Sequence, residues 1–358
     1  MTKIFISAGD SSGEIHAAKL VSEIKKIEPG AFVSALGGDN LRNSADRFLF
    51  NLIDLSAFGF WAPFKQYFRL RKLFNRIKTL WSADRPDKVI LVDYYGFNIH
   101  LAKEARGRNI PVYYYISPQV WASRAGRIEK LRKYINKMIV ILPFEEKLYK
   151  DRGVDAVFAG HPLIDLVPAA QWRYGEKPVI GIFPGSRPSV AVKHLDTLYK
   201  AAALINKSIP SEFLVFGTDN LKDLYAGCPY KVVFEKDFKQ RQNLTLALSV
   251  SGTVSLENTL LGIPMVVMYK LSALNYRLAK MLVKIKYITM ANILTGKMLV
   301  PELIQSDASP EKIANKAIEM LKDRELLRSV SAELASLRSI LGNSGSARRA
   351  AGIIMEKA

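Results

Sequence analysis

The chain has 358 residues, 49% hydrophobic and 24% charged, with 52 Lys and Arg against 33 Asp and Glu, a formal net charge of +19. That composition excludes a disordered chain, and the length suffices for two domains with separate cores. One cysteine, Cys228, excludes an internal disulfide framework, four histidines offer no metal-ligand spacing, and no apolar run approaches the roughly 20 residues that span a bilayer. The excess of positive charge asks for an anionic partner: nucleic acid, an acidic membrane or a phosphorylated substrate.

In chain order, Lys3–Ala8 reads as a strand, its apolar run too short for a signal-peptide core, and Gly13–Ile27 as a helix carrying Glu14 and His16. Val33–Leu36 is a second strand. The stretch Phe58–Trp81 (FGFWAPFKQYFRLRKLFNRIKTLW) follows, with large apolar residues recurring at close to helical spacing and Lys65, Arg69, Arg71, Lys72, Arg76 and Lys78 among them. Aromatics on one side and cations on the other describe a helix in an anionic bilayer interface, touching it through Phe60, Trp61, Phe64, Phe68 and Phe74. A basic surface helix with its apolar stripe on the core is the plainer reading.

The alternation continues with strand Lys88–Val92, helix Phe97–Arg106, strand Val112–Ile116, helix Gly126–Tyr134 and strand Lys137–Leu142. Asp93 closes the first of these strands, where a carboxylate either points to a ligand or caps the next turn. Gly160-His161-Pro162 and the polar Gln171–Pro178 interrupt the pattern, which resumes with strands at Val179–Phe183, Phe213–Phe216, Val232–Phe234 and Met265–Met268 and ends in a helical tail from Pro310. Two strand–helix blocks predict an α/β chain of two doubly wound parallel-sheet, Rossmann-like domains facing across a cleft, at residues 1–168 and 169–335, with a helical tail at 336–358 that could pack back on an N-terminal domain.

The segment with the most chemistry is Ser251–Asn258 (SGTVSLEN), between the apolar Leu244–Val250 and Gly262-Ile263-Pro264. Strand, tight turn and helix leave free N–H groups and the positive end of a helix dipole at Ser251, Gly252 and Thr253, which suits a phosphate. Glu257, about one turn in, can accept both hydroxyls of a ribose, so a nucleotide-diphosphate sugar fits. A plain βαβ turn with an exposed Glu fits the same residues equally.

Several blocks in order resemble the lipid-A-disaccharide synthase family: AGDSSGE at Ala8–Glu14, SPQVWA at Ser117–Ala122, LPFE at Leu142–Glu145, GHPL at Gly160–Leu163, PGSR at Pro184–Arg187, SGT and LE at Ser251–Glu257, PMVV at Pro264–Val267, NIL at Asn292–Leu294 and VPEL at Val300–Leu303. The resemblance implies a GT-B-like, membrane-associated, inverting glycosyltransferase without cofactor or metal. It implies that the 6-hydroxyl of an acylated glucosamine 1-phosphate acceptor attacks a UDP-2,3-diacylglucosamine donor, giving a β-1,6 disaccharide 1-phosphate and UDP. Such an enzyme is expected in the cytoplasm, peripheral on the inner face of the cytoplasmic membrane, without nucleic acid; a homodimer stays open. The same resemblance places Arg187 by the pyrophosphate and Asn292 near the nucleotide.

The sequence departs from the family pattern in places. Where the family carries D-x-x-D-F-N and its favoured base is the second Asp, Asp93 is followed by Gly96, so Asp93, Glu14 and His16 are the candidate catalytic groups. Val190 replaces a Glu after Arg187, Lys270 replaces an Arg, and Asp10 and Glu14 exchange the acids of the first motif. The alternative is a divergent UDP-sugar enzyme with another lipid acceptor; a noncatalytic lipid or nucleic-acid binder fits the charge but leaves the Ser251–Glu257 turn without a purpose.

Overall fold

Strands buried on both faces read as unbroken apolar runs, and the central strands of both sheets are of that kind. The computed structural model describes residues 1–56, 62–123, 125–235, 237–283 and 285–356, with backbone alone at 55, 56, 62–66, 273, 274, 278, 279 and 282. The chain forms two compact units, Met1–Pro162 with Leu341–Ala358, and Leu163–Ile340.

In the first unit, strands β1 (Lys3–Ala8), β2 (Phe32–Gly37), β3 (Arg47–Asn51), β4 (Lys88–Val92), β5 (Val112–Tyr115), β6 (Lys137–Val140) and β7 (Ala156–Phe158) form a parallel sheet in the order β3-β2-β1-β4-β5-β6-β7. Helices α1 (Ser11–Ile27), α2 (Asp39–Ser44), α3 (Ile53–Ser56), α4 (Ala62–Ala83), α5 (Tyr95–Gly107), α6 (Arg127–Tyr134) and α7 (Pro143–Lys150) lie between them. The two-residue period of a strand sorts the core into two layers. Phe5, Val89, Leu91, Val112 and Tyr114 enter one layer, and Ile4, Ile6, Ile90, Val92, Tyr113 and Tyr115 the other.

In the second unit, β8 (Val179–Phe183), β9 (Glu212–Phe216), β10 (Lys231–Val233), β11 (Leu246–Val250), β12 (Met265–Tyr269) and β13 (Glu302–Ile304) form a parallel sheet in the order β10-β9-β8-β11-β12-β13. Its helices are α8 (Pro188–Ser208), α9 (Thr253–Leu260), α10 (Ala273–Leu282), α11 (Met290–Thr295), α12 (Pro310–Lys322) and α13 (Arg324–Ile340). The last helix, α14 (Ser346–Met355), belongs to the first unit, where Ala350, Ala351 and Ile354 pack in one layer with Ala17, Leu20, Val21 and Ile24 of α1. Lys88 Nζ donates to Ile354 O at 2.5 Å and Arg349 Nε to Ala159 O at 2.9 Å, which fixes α14 to that sheet. The chain therefore changes unit after Pro162 and returns at Leu341, rather than at the expected 168 and 336.

Helix α4 divides the apolar stripe of the basic aromatic segment. Leu73, Ile77 and Trp81 are buried, Leu70 and Phe74 pack partly against the same core, and Trp81 meets Phe5 edge-on at 5.0 Å. Tyr67 and Phe68 are instead 59% and 60% exposed. The expectation that Phe74 faces a membrane is thus corrected: its ring packs against the core and meets His100, because the helical stripe that begins at Leu70 turns inward. Phe60 and Trp61 lie outside the described residues, as does the side chain of Phe64. No helix among the described residues is long and apolar enough to cross a membrane.

Candidate active site

In a doubly wound sheet, ligands bind beyond the carboxyl ends of the strands where the strand order reverses. The first unit reverses between β1 and β4, so its crevice is bounded by Gly9–Asp10 and Asp93–Tyr94. Asp10 caps α1 by accepting the Gly13 N–H at 2.7 Å. Asp93 and Tyr94 both adopt left-handed backbone, with φ of 45° and 46°. The surrounding bonds impose that conformation. Tyr114 Oη donates to Asp93 O at 2.5 Å, and Asn98 Nδ2 donates to the same oxygen at 2.9 Å and to Val92 O at 3.2 Å. Ser7 Oγ in turn holds Asn98 Oδ1 at 2.8 Å. The Tyr94 ring lies over Gly9 so closely that a Cβ there would come within 2.1 Å of it. Burial first, and the Asp10 carboxylate second, raise the pKa of the Tyr94 hydroxyl.

The other catalytic candidates of this unit sit deeper. Glu14 is 6% exposed; its Oε1 accepts from Asn40 Nδ2 at 2.5 Å and its Oε2 from the Leu41 N–H at 3.2 Å. Both oxygens bond to the first turn of α2, which gives Glu14 a helix-capping role. His16 is buried, and the pKa of His161 is lowered to about 3, chiefly by burial and secondly by the neighbouring His16. Asp93 follows β4 at the crevice and is half-buried. Gly96, on the first turn of α5, is exposed, and a Cβ added there meets nothing within 4 Å.

Beyond β5 and β6, Glu145 accepts from Ser117 Oγ at 2.8 Å, Trp121 Nε1 at 3.0 Å and the Leu142 N–H at 3.2 Å. Burial pushes its carboxyl up to about 7 against those three donors. The sequence placed Glu145 in a motif without assigning it a role; a Glu at the third position of a helix that opens on Leu-Pro was the available signal.

The second unit reverses between β8 and β11. Its crevice is bounded by Pro184–Arg187, leading into α8, and by Ser251–Gly252, leading into α9. Gly185 has φ of 103°, and a Cβ there would stand 3.0 Å from Val190 and 3.1 Å from Val250, so only glycine fits this turn. Val190, in the place of the family's Glu, is the apolar floor of that turn. Arg187 is exposed and pairs with no carboxylate among the described residues. At the other lip, Ser251 Oγ donates to Ile288 O at 2.8 Å and Ser255 Oγ to Gly252 O at 2.7 Å. The N–H groups of Thr253 and Val254, which a helix leaves without an internal acceptor, have no protein acceptor among the described residues. Glu257 follows one turn later, its Oε2 2.6 Å from Arg241 Nη1.

Asn292 does not join this group. It is fully buried; Nδ2 donates to Val300 O and Glu302 Oε1, both at 2.8 Å, and Oδ1 accepts the Val300 N–H at 2.9 Å. With its amide spent on tying α11 to β13, it is a structural staple, which corrects its expected place at the nucleotide. Lys270 donates its backbone N–H to His194 Nε2 at 2.9 Å while His194 Nδ1 meets Val190 O at 2.7 Å. That pair of bonds requires a neutral imidazole protonated on Nδ1. No group of three or more His, Cys, Asp or Glu among the described residues could hold a metal.

With this geometry in place, the sequence profile described as lipid-A-disaccharide synthetase matches residues 4–353. The chain belongs to the lipid-A-disaccharide synthase family. It is a glycosyltransferase of lipid A disaccharide formation. The lipid-A-disaccharide synthase of Trichlorobacter lovleyi is 36% identical over 370 residues, covering 99% of this chain and 97% of that one. The synthase of Coxiella burnetii is 31% identical over 98% of this chain and 97% of its own. Among solved structures, MurG of Acinetobacter baumannii superposes with a TM-score of 0.64 over 100% of both chains at 13% identity. The UDP-GlcNAc 2-epimerase of Neisseria meningitidis, bound to UDP-GlcNAc, gives 0.63 over 99% of each at 12%. At that identity the likeness is one of fold, the GT-B arrangement of two doubly wound sheets.

Proposed function

We propose that this family member transfers 2,3-diacylglucosamine from UDP to the 6-hydroxyl of 2,3-diacylglucosamine 1-phosphate, with inversion, at an anionic membrane surface. The observation that carries the reading is the pairing, at the strand-order reversal of the second unit, of an open helix N-terminus with an arginine, Arg187, that meets no carboxylate among the described residues. A departing pyrophosphate needs such a site: the Thr253 and Val254 N–H groups and the α9 dipole on one side, the Arg187 fork on the other. Glu257 takes the ribose. Asp93 accepts the proton of the attacking hydroxyl, and His16, buried on α1, is the second candidate base or a donor to the acceptor phosphate. Tyr67, Phe68 and the exposed Arg71, Lys72 and Arg76 give the contact with acidic lipid on the inner face of the cytoplasmic membrane.

The assignment of the base has a direct test. General-base catalysis contributes roughly 10²–10⁴-fold. Asp93→Asn should therefore lower turnover by about a hundredfold or more while UDP affinity by calorimetry stays near that of the parent. Near-normal turnover removes Asp93 from the mechanism.

A further inference from the structure

Arg241 opens a short 3₁₀ turn, Arg241–Asn243. Its guanidinium stands between two carboxylates: Nη1 donates a hydrogen bond to Glu257 Oε2 at 2.6 Å, and Nε is 2.9 Å from Glu235 Oε1, an ion pair without hydrogen-bond alignment. The three side chains are only 12%, 18% and 5% exposed, in the order Arg241, Glu257, Glu235. Three phenyl rings surround the cation, with their centres 5.1 Å (Phe183), 5.6 Å (Phe216) and 5.0 Å (Phe238) from Cζ. Phe183 and Phe216, at the carboxyl ends of β8 and β9, stack face to face at 4.5 Å. Glu235 is itself anchored, its Oε2 accepting the Gln240 N–H at 2.8 Å. Among the described residues nothing bonds to Oε1 of Glu257.

We infer that Arg241 is a positioning residue that fixes the Glu257 carboxylate for recognition of a ribose, and so makes the donor site selective for ribonucleotides over deoxyribonucleotides. This rests on the assignment of Glu257 to the ribose. A glutamate on an open helix turn samples several rotamers and gives up that freedom when it binds a diol. Here the guanidinium occupies one oxygen and fixes the plane of the other. The rings and Glu235 fix the guanidinium in turn, so the acceptor is set before the nucleotide arrives. Lysine would keep the charge but present a point donor on a flexible stem, losing the fork whose two nitrogens reach Glu257 and Glu235 together.

Calorimetric titration of the full chain with UDP and with 2′-deoxy-UDP tests this. The parent should prefer UDP by roughly tenfold, the worth of a charge-assisted hydrogen bond to a hydroxyl. Arg241→Met and Arg241→Lys should both bring that preference below about threefold, chiefly by weakening UDP, with 2′-deoxy-UDP affinity little changed. A merely structural arginine would weaken both nucleotides alike, and an unchanged ratio overturns the inference; Arg241→Lys decides the matter if Arg241→Met does not fold. Glu257→Ala separates the two assignments. If it retains the parent's preference, Glu257 is not the ribose ligand and the inference falls with that reading. If it abolishes the preference while both Arg241 variants keep it, Glu257 stands and Arg241 alone is wrong.

Discussion

Two successive non-glycine residues in left-handed backbone, Asp93 and Tyr94, store strain of roughly 1–3 kcal/mol each. The structure over-determines them with bonds from Tyr114, Asn98 and, through Asn98, Ser7. Strain held this firmly beside a crevice argues that the direction of the Asp93 carboxylate matters. The neighbouring Gly96 offers a complementary test, because a side chain there meets nothing and an acid in the first turn of α5 favours the helix dipole. Gly96→Asp should leave thermal stability within about 0.5 kcal/mol of the parent. In an Asp93→Asn background it should recover at least about tenfold in turnover if an acid at either position can act as base. No recovery would mean that only the left-handed position aims correctly. Asp93 was legible in the sequence because a strand-ending acid is a local feature. The engagement of Glu14 and Asn292 was not, since Asn40 lies 26 residues from one and Val300 and Glu302 lie beyond a loop from the other. Arg241 carried no sequence signal at all: its meaning comes from rings on β8 and β9 and an acid on α9.

At the scale of elements, α4 has two halves with different tasks. From Leu70 onward its apolar side chains belong to the core, while Tyr67 and Phe68 stand in solvent among cations. Phe74→Ser should therefore destabilise the first unit by about 2 kcal/mol, a partial-burial loss, in urea denaturation. Phe68→Ser should leave the midpoint unchanged and lower association with vesicles containing anionic lipid, read by sedimentation. Equal effects of the two on vesicle binding at matched stability would contradict this division. The helical period of the segment was readable, but not the point at which its stripe turns inward, because that depends on where Phe5 and the sheet lie. The long apolar strands were similarly readable, whereas β3, β7 and β13 were not: they are edge strands, two of them only three residues long and with little apolar run of their own.

For the molecule as a whole, two buried groups of the first unit impose opposite dependences of stability on pH. Glu145 rises from 4.5 to about 7, chiefly through burial, so the folded protein holds its proton more tightly and stability falls as pH climbs across that window. His161 falls from 6.5 to about 3, also chiefly through burial, so stability falls as pH drops through that window. Between pH 4.5 and 6.5 the two slopes oppose each other, each up to about 1.4 kcal/mol per pH unit. Relative to the parent, Glu145→Gln should gain stability as pH rises through this interval, and His161→Gln should gain as pH falls. Denaturation curves at three pH values check this, and pH-independent differences from the parent would contradict it. The two-unit α/β plan was legible in the alternation of strands and helices. The return of α14 to the first unit was not, because a helix states which face is apolar but not which sheet receives it.

The reaction proposed for this protein joins a UDP-linked diacylglucosamine to an acylated glucosamine 1-phosphate. The most direct measurement supplies the purified protein in detergent with UDP-2,3-diacylglucosamine, with and without 2,3-diacylglucosamine 1-phosphate, and follows UDP release together with the lipid product by mass spectrometry. UDP should be released only with the acceptor, and the product should have the mass of the tetraacylated disaccharide 1-phosphate. UDP binding without acceptor-dependent release, or release without that disaccharide, would contradict it and point to another lipid acceptor.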